Sequence, residues 1–481
     1  MPYNHGIKVN EIATTLVAPV QSTSGLQVIV GTAPVNMADD PSAAVNKAIL
    51  VNSFAEAAAA VGYCTDFENY TLCQAIYASF QLSNVRPIVL INVLDPATHK
   101  TAQAEAAISV VAAKKQAVIN KFGVVHSTVV VKNGDTALVN GTDYILSFDN
   151  NGNTVITLLL VTVPESLTVA YDYLNPAAVT VADVIGGYNA NTGAETGIEL
   201  IRTVYPRFGM APGLLLAPGW SKNPTVAAAL NAKTEGINDC FRCECVVDLD
   251  TTSCTKYSDV LTRKEAAGLS GEHEIVCWPR VGVGDYRLDF SAVWAAAIAQ
   301  ADGNNDDVPA LRVSNILAGV TGAYLADGTE VLLDLPQANT VNGAGVVTLL
   351  NDGGWKMWGN NTAAYPSVTD PKDRWITVRR WFSWWANSFV QTYRNRVDDP
   401  TNYRLIEAVV DSENIRLNSY TPDKIAGGEV LFNEEMNPIT NILAGRLTFG
   451  IKLAPYVPAE YIVANLEFDP SILQAALNGG E

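Results

Sequence analysis

A chain of 481 residues is roughly three to four times the length of a typical domain, so several domains with ample core are expected. Apolar residues make up 48% and charged residues 17%, a globular composition that excludes disorder and coiled coil. The formal net charge of −18 argues against nucleic acid as the main partner, because neutralising phosphates takes basic surface.

In chain order, Gly6 to Ile12 alternates with a period of two and puts Ile7 and Val9 on one face of a half-buried strand. The polar run Thr14 to Gly25 has no helical period and reads as an extended arm. A compact unit opens with the strand LQVIVGTAP at residues 26–34. Ser53 and Glu56 then form a capping-box pattern, Leu72, Ile76 and Phe80 share a helical face, and PIVLINVL gives another strand. Strand, helix, helix, strand is α/β order. Residues 102–183 turn to strands, with Asn133-Gly134, Asn140-Gly141 and Asn151-Gly152 beside β-branched runs, the hairpin signal of an inserted all-β module. Its longest apolar run, residues 155–163, is far short of the roughly 20 needed to span a bilayer and reads as a buried strand, so no membrane insertion is expected. A second α/β stretch carries GLLLAPG at residues 213–219, the strand CECVVDLD and a helix near Ser291. Residues 303–365 are rich in Gly and Asn, carry short strands only and suit a surface-exposed connection. Asp370 and Pro371 start a long helix with an aromatic stripe of Trp375, Val378, Phe382, Trp385, Phe389 and Tyr393. RLTFGIKLAP and AEYIVANLEF predict two closing strands.

The expected fold class is therefore a multidomain α+β or α/β protein: an α/β core with an inserted all-β module and a C-terminal α/β domain, flanked by extended terminal strands. The boundaries are an N-terminal arm with a donated strand at 1–25, the first part of the α/β body at 26–101 and the inserted β-rich domain at 102–183. The second α/β region with surface loops spans 184–365, the C-terminal domain 366–458 and a C-terminal strand arm 459–481.

Signs of chemistry are few. No Gly-rich phosphate loop with its lysine, no GxGxxG after a strand and no G-x-S-x-G elbow is present. His5, His99, His126 and His273 lack partners at metal or triad spacing and read as surface or strand-edge residues. The seven cysteines are expected to be free thiols in a reducing compartment. Cys240, Cys243, Cys245 and Cys254 could form a zinc site, but only the first pair has knuckle spacing, and buried small hydrophobes leading into a core strand is the favoured reading. Neighbouring acids such as Asp248 with Asp250, Asp306 with Asp307, and Glu434 with Glu435 read as solvated. No catalytic, cofactor-binding or metal residue is assigned, and the chain is not read as an enzyme. The long helix is more informative: Lys372, Arg374, Arg379, Arg380, Arg394 and Arg396 against Asp373 give a local positive excess, either a solvated face or a docking face for an acidic partner.

Four segments together resemble the contractile tail sheath family of bacteriophages and phage-tail-like particles. They are HGIKVNEI at residues 5–12, LQVIVGTAP, DRWITVRR from Asp373 and RLTFGIKLAPYVPAEYIVANLEF at residues 446–468, with its APYVPAEY core the most specific. The resemblance implies a virion tail or tail-like particle assembled in the bacterial host cytoplasm, such as a phage tail or a bacteriocin. It implies a homo-oligomer, a helical stack of hexameric rings around an inner tail tube protein, bounded by a baseplate and a tail terminator. Contraction would drive the tube through the host envelope. Strand donation to neighbouring copies would fall to Ile7, Val9 and Ile12 at one end and Tyr461, Ile462, Val463, Ala464, Leu466 and Phe468 at the other. Leu447, Phe449, Ile451 and Leu453 are the candidate acceptor strand. Arg379, Arg380, Arg394 and Arg396 are candidates to face the tube. The rival readings are a static shell or surface-layer protein, and an α/β enzyme using the glycines of residues 213–219 as a ligand loop.

Overall fold

The computed structural model describes residues 20–21 and 23–478. The donor residues Ile7, Val9 and Ile12 lie outside the described residues. The body opens with β1 (Gln27–Gly31), β2 (Ala48–Val51), helix α1 (Phe54–Val61), α2 (Leu72–Ile76) and β3 (Ile88–Asn92). The Ser53 hydroxyl accepts from the Glu56 amide at 3.2 Å, so the capping residue starts α1 as its sequence predicts.

The chain then leaves the body for a sandwich of two small sheets. Its strands are β4 (Lys100–Ser109), β5 (Gln116–Phe122), β6 (Val130–Asn133), β7 (Thr136–Ala137), β8 (Tyr144–Phe148), β9 (Asn153–Leu158) and β10 (Ser166–Leu174). One sheet runs β8-β9-β5 and the other β4-β10-β6-β7. Ile119, Val131, Tyr144, Ile156 and Val169 fill a core of their own between them. Gly134 and Gly152 turn the β6–β7 and β8–β9 hairpins at φ +58 and +76, a region L side chains avoid. The apolar run at residues 155–163 is strand only as far as Leu158, and Val161 is 96% exposed.

Back in the body come β11 (Leu214–Leu216), α3 (Pro224–Asn231), β12 (Glu244–Asp248), β13 (Glu274–Cys277), α4 (Phe290–Gly303), α5 (Leu335–Gly343), β14 (Val346–Asn351) and β15 (Trp355–Trp358). The sheet order is β15-β14-β13-β12-β11-β1-β3-β2, with six parallel strands inside two antiparallel edges. This is a doubly wound sheet whose order reverses between β1 and β11. Its strands are buried on both faces and read as unbroken apolar runs, and α4 is buried almost all round.

The C-terminal part has α6 (Ile376–Tyr393) and α7 (Tyr403–Tyr420), then a two-stranded antiparallel sheet of β16 (Ile425–Leu431) and β17 (Gly450–Pro455). Trp381, Trp385, Leu417, Ile425 and Val430 form its core with Val308. The helix α8 (Pro470–Leu477) ends the described chain.

Four expectations change. Residues 303–365 are not simply a surface connection: β14 is the sixth parallel strand and α5 carries a Gln337/Asp334 capping box, so Gly- and Asn-rich flanks masked a core element. The long helix does not run unbroken from Pro371, because Trp375 is extended (φ −90, ψ 122) and bridges to Asn361 before α6 begins. AEYIVANLEF forms no strand within one chain, and RLTFGIKLAP is strand only from Gly450, leaving Leu447 and Phe449 ahead of it. The arm is docked at its root: Val20–Gln21 pairs in parallel with Val85–Arg86, and the Thr23 and Ser24 amides donate to Asp307 at 2.8 Å each.

Candidate functional site

The C-terminal sheet is where local structure stays incomplete. β16 and β17 pair through Val430 with Ile451 and Gly428 with Leu453, and among the described residues neither strand has a second neighbour. Ile451 and Leu453 lean on the Trp381 cluster, which holds the hairpin in place. A two-stranded sheet is marginal alone, and its unpaired edges are templates for another strand. Beyond it the chain runs without regular secondary structure and almost wholly solvent-facing from Tyr456 to Asp469. Tyr461 is 87% exposed and Leu466 97%, with Ile462, Val463, Ala464 and Phe468 also outside. The root of the segment is fixed, since Glu460 meets Arg374 at 3.3 Å and Asn360 at 3.1 Å and the Tyr456 hydroxyl donates to the Pro422 carbonyl at 2.7 Å.

The basic helix divides into two. Arg379 and Arg380, expected to face a tube, are both 3% exposed. Arg379 donates to Asp373 at 2.9 Å, and Arg380 forks onto both carboxylate oxygens of Asp302 on α4 with Glu244 at 4.0 Å. Burial works against the Arg380 charge, but the Asp302 and Glu244 carboxylates outweigh it and hold its pKa above the ordinary value. Ser24 donates to Asp302 at 2.9 Å and Ser383 to Glu244 at 2.6 Å. One ionic junction thus clamps the arm root, α4 and α6 together. These arginines are structural because α6 lies against the body at its start, where Ile376 joins the body core and Arg380 and Ser383 reach Asp302 and Glu244. Arg394 and Arg396, past the end of α6, remain exposed; Arg394 lies 5.0 Å over the Tyr205 ring and Arg396 reaches Asp399 at 3.5 Å.

Of the acids expected to be solvated, Asp306, Glu434 and Glu435 are exposed, whereas Asp248 is buried. Asp248 at the end of β12 accepts from the Ser291 amide at 2.8 Å, the Ser291 hydroxyl at 2.5 Å and Ser221 at 3.2 Å, pinning the sheet to the start of α4. Burial, with the Asp289 charge adding to it, pushes Asp248 up to about 7. Burial likewise pushes Glu274 up to about 7, and pushes Lys264, which donates to the Ala344 and Tyr365 carbonyls at 2.7 Å each, down to about 8. A carboxyl whose pKa is raised by folding favours the folded state below its unfolded value and loses that contribution as pH rises through the folded value. The two carboxyls therefore weaken the subunit between about pH 4 and pH 7. We expect Asp248→Asn to flatten this dependence by roughly 2 kcal/mol, read as a higher Tm relative to the parent at pH 8 than at pH 5. An unchanged pH slope would contradict the assignment.

Cys243, Cys245 and Cys254 are buried, and burial raises all three thiols. Among the described residues the grouping of metal-ligating atoms falls elsewhere, on Glu235, Glu272 and His273. The glycines of the rival ligand loop are used for packing: a Cβ on Gly213 would stand 2.1 Å from the Ser24 carbonyl, and one on Gly219 would strike Thr71. His273 is 3% exposed rather than at the surface, and His126 is half-buried and stacked on Phe148 with its pKa lowered by burial.

A doubly wound body with an inserted sandwich, a helical C-terminal unit and a tail left without partners defines a class, and the fold is one found in contractile sheaths. It is shared with the sheath complex, in its contracted state, of the extracellular contractile injection system PVC: 15% identity, TM-score 0.55, covering 98% of this chain and 99% of that one. No family model matches the chain. The tail sheath protein of Burkholderia phage BcepMu is 27% identical over 502 residues, 99% of each chain, and the tail sheath protein of Escherichia phage P2 is 25% identical over 294 residues, 59% of this chain and 69% of its own. The resemblance to the contractile tail sheath family therefore holds along the whole sequence.

Proposed function

We propose that the chain is the structural subunit of a contractile tail sheath, doing mechanical rather than enzymatic work. The observation that carries this reading is the solvent-facing apolar segment Tyr461–Phe468 next to a hairpin with two open edges. Unpaired backbone groups need partners, and a neighbouring copy's β16–β17 hairpin supplies them by strand addition. Ile451 and Leu453 then belong to the acceptor strand, with Leu447 and Phe449 at its approach. Ile7, Val9 and Ile12 are proposed as the donor at the other end.

A strand of about six residues adds several hydrogen bonds at roughly 0.5–1.5 kcal/mol each and two or three buried side chains at roughly 1.5–3 kcal/mol each. Single links of this size are reversible, but repetition over hexameric rings makes them effectively permanent. The fixed root at Glu460 leaves the segment beyond it as a hinge, so rigid bodies rotate past each other without separating. With no nucleotide loop in the sequence, the work is stored in a lattice assembled in a metastable extended state. The division at residues 25, 101, 183, 365 and 458 follows from this: rigid units between hinged ends. Proposed partners are further copies, an inner tube, a baseplate and a terminator, in a tail or tail-like particle built in the host cytoplasm.

Arg394 and Arg396 are the remaining candidates for contact with an acidic tube. Reversing both to glutamate is expected to lower the yield of extended sheath several-fold, more at low salt than at high, while contracted tubes still form. Undiminished extended particles would remove the contact. Negative-stain microscopy of the purified chain tests the function itself: hollow helical tubes are expected, whereas flat sheets would favour a static shell and compact particles would refute polymerisation.

A further inference from the structure

Glu235 lies in the loop between α3 and β12, and Glu272 and His273 lie directly ahead of β13, so adjacent parallel strands bring them together at the amino-terminal edge of the sheet. One ligand atom from each falls within 4.8 Å of the others. His273 is 3% exposed, yet neither ring nitrogen makes a hydrogen bond. Instead a Glu235 oxygen stands 3.3 Å from Nε2 and a Glu244 oxygen 3.4 Å from Nδ1.

A neutral imidazole has one N–H and one lone pair. Glu244, itself buried and held by Ser383, is the carboxylate that faces Nδ1, so the ring N–H belongs on Nδ1 and the Nε2 lone pair points towards Glu235. Lone pair against carboxylate is repulsive unless a cation lies between them. Glu272 brings a second carboxylate to the same point, more negative charge than one proton calls for. A carboxylate that orients a histidine whose other nitrogen faces further ligands is the usual support of a bound metal.

We propose that Glu235, Glu272 and His273 bind one divalent transition-metal ion, with Glu244 as the group that orients the histidine. One imidazole and two carboxylates suit zinc with a water in the fourth position. The ion would join the loops ahead of β12 and β13 and, through Glu244 and Ser383, brace the body against α6.

The test is native mass spectrometry and thermal unfolding of the full chain, stripped with EDTA and titrated with zinc chloride. One equivalent of zinc and a rise in Tm are expected. Glu235→Gln combined with Glu272→Gln should weaken binding about tenfold or more and abolish the rise, while the Tm without metal stays at or above that of the parent. Glu235→Gln alone, a change at an exposed side chain, should weaken binding in the same direction. Failure to bind zinc overturns the proposal, and so does binding that the double variant leaves undiminished, which would place the metal on the cysteines.

Discussion

Removing residues 461–481 is expected to give a folded, monodisperse subunit that no longer forms tubes. Among the described residues the deleted part contributes no buried side chain, so its loss should move Tm by no more than about 1 °C. Glu460 is kept, so its ties to Arg374 and Asn360 survive. The whole effect should then fall on association, where each lost strand forfeits several hydrogen bonds and the burial of Tyr461, Ile462, Leu466 and Phe468. Light scattering and microscopy measure it, and tubes of normal length from the truncated chain would refute the role given to this segment. Deleting residues 1–20 is expected to act in the same direction.

Asp302→Ala should cost about 3–5 kcal/mol, because it leaves the Arg380 guanidinium buried and short of its main partner. The damage spreads: Ser24 loses its acceptor at the arm root, and α6 loses its anchor on α4. Asp302→Leu with Arg380→Met, which removes both charges, should recover most of that loss. Denaturant unfolding of the three proteins measures the difference, and a single variant as stable as the parent would show that the junction contributes little. The same geometry explains why reversing Arg379 and Arg380 together is no probe of tube binding: two glutamates beside Asp302, Asp373 and Glu244 would unfold the junction.

The body was legible because its strands are short unbroken apolar runs between turn residues; LQVIVGTAP and CECVVDLD each became a parallel strand, and GLLLAPG another. Asn133-Gly134 and Asn151-Gly152 marked hairpins of the sandwich through their glycine geometry, whereas Asn140-Gly141 connects a strand of one sheet to a strand of the other. β14 was hidden because a six-residue strand, VVTLLN, set among glycines and asparagines carries no periodicity that separates a core strand from a loop. Arg380 misled for a different reason. Charge is a one-residue property, whereas burial depends on what faces the helix, and Asp302 is 78 positions away in sequence. His273 was misread likewise, since two of its carboxylate neighbours, Glu235 and Glu244, come from an earlier loop and strand. The closing strand is a different case: the alternation in AEYIVANLEF predicts a strand that the single chain does not form, and the proposed partner copy would have to supply its sheet.

The claim that the chain ends pair with other copies is tested most directly by a cryo-EM reconstruction of the tubes at a resolution that traces the backbone. Residues 459–468 are expected to run as a strand beside Ile425–Leu431 or Gly450–Pro455 of a neighbouring subunit. A trace in which that segment folds back onto the hairpin of its own subunit would contradict it.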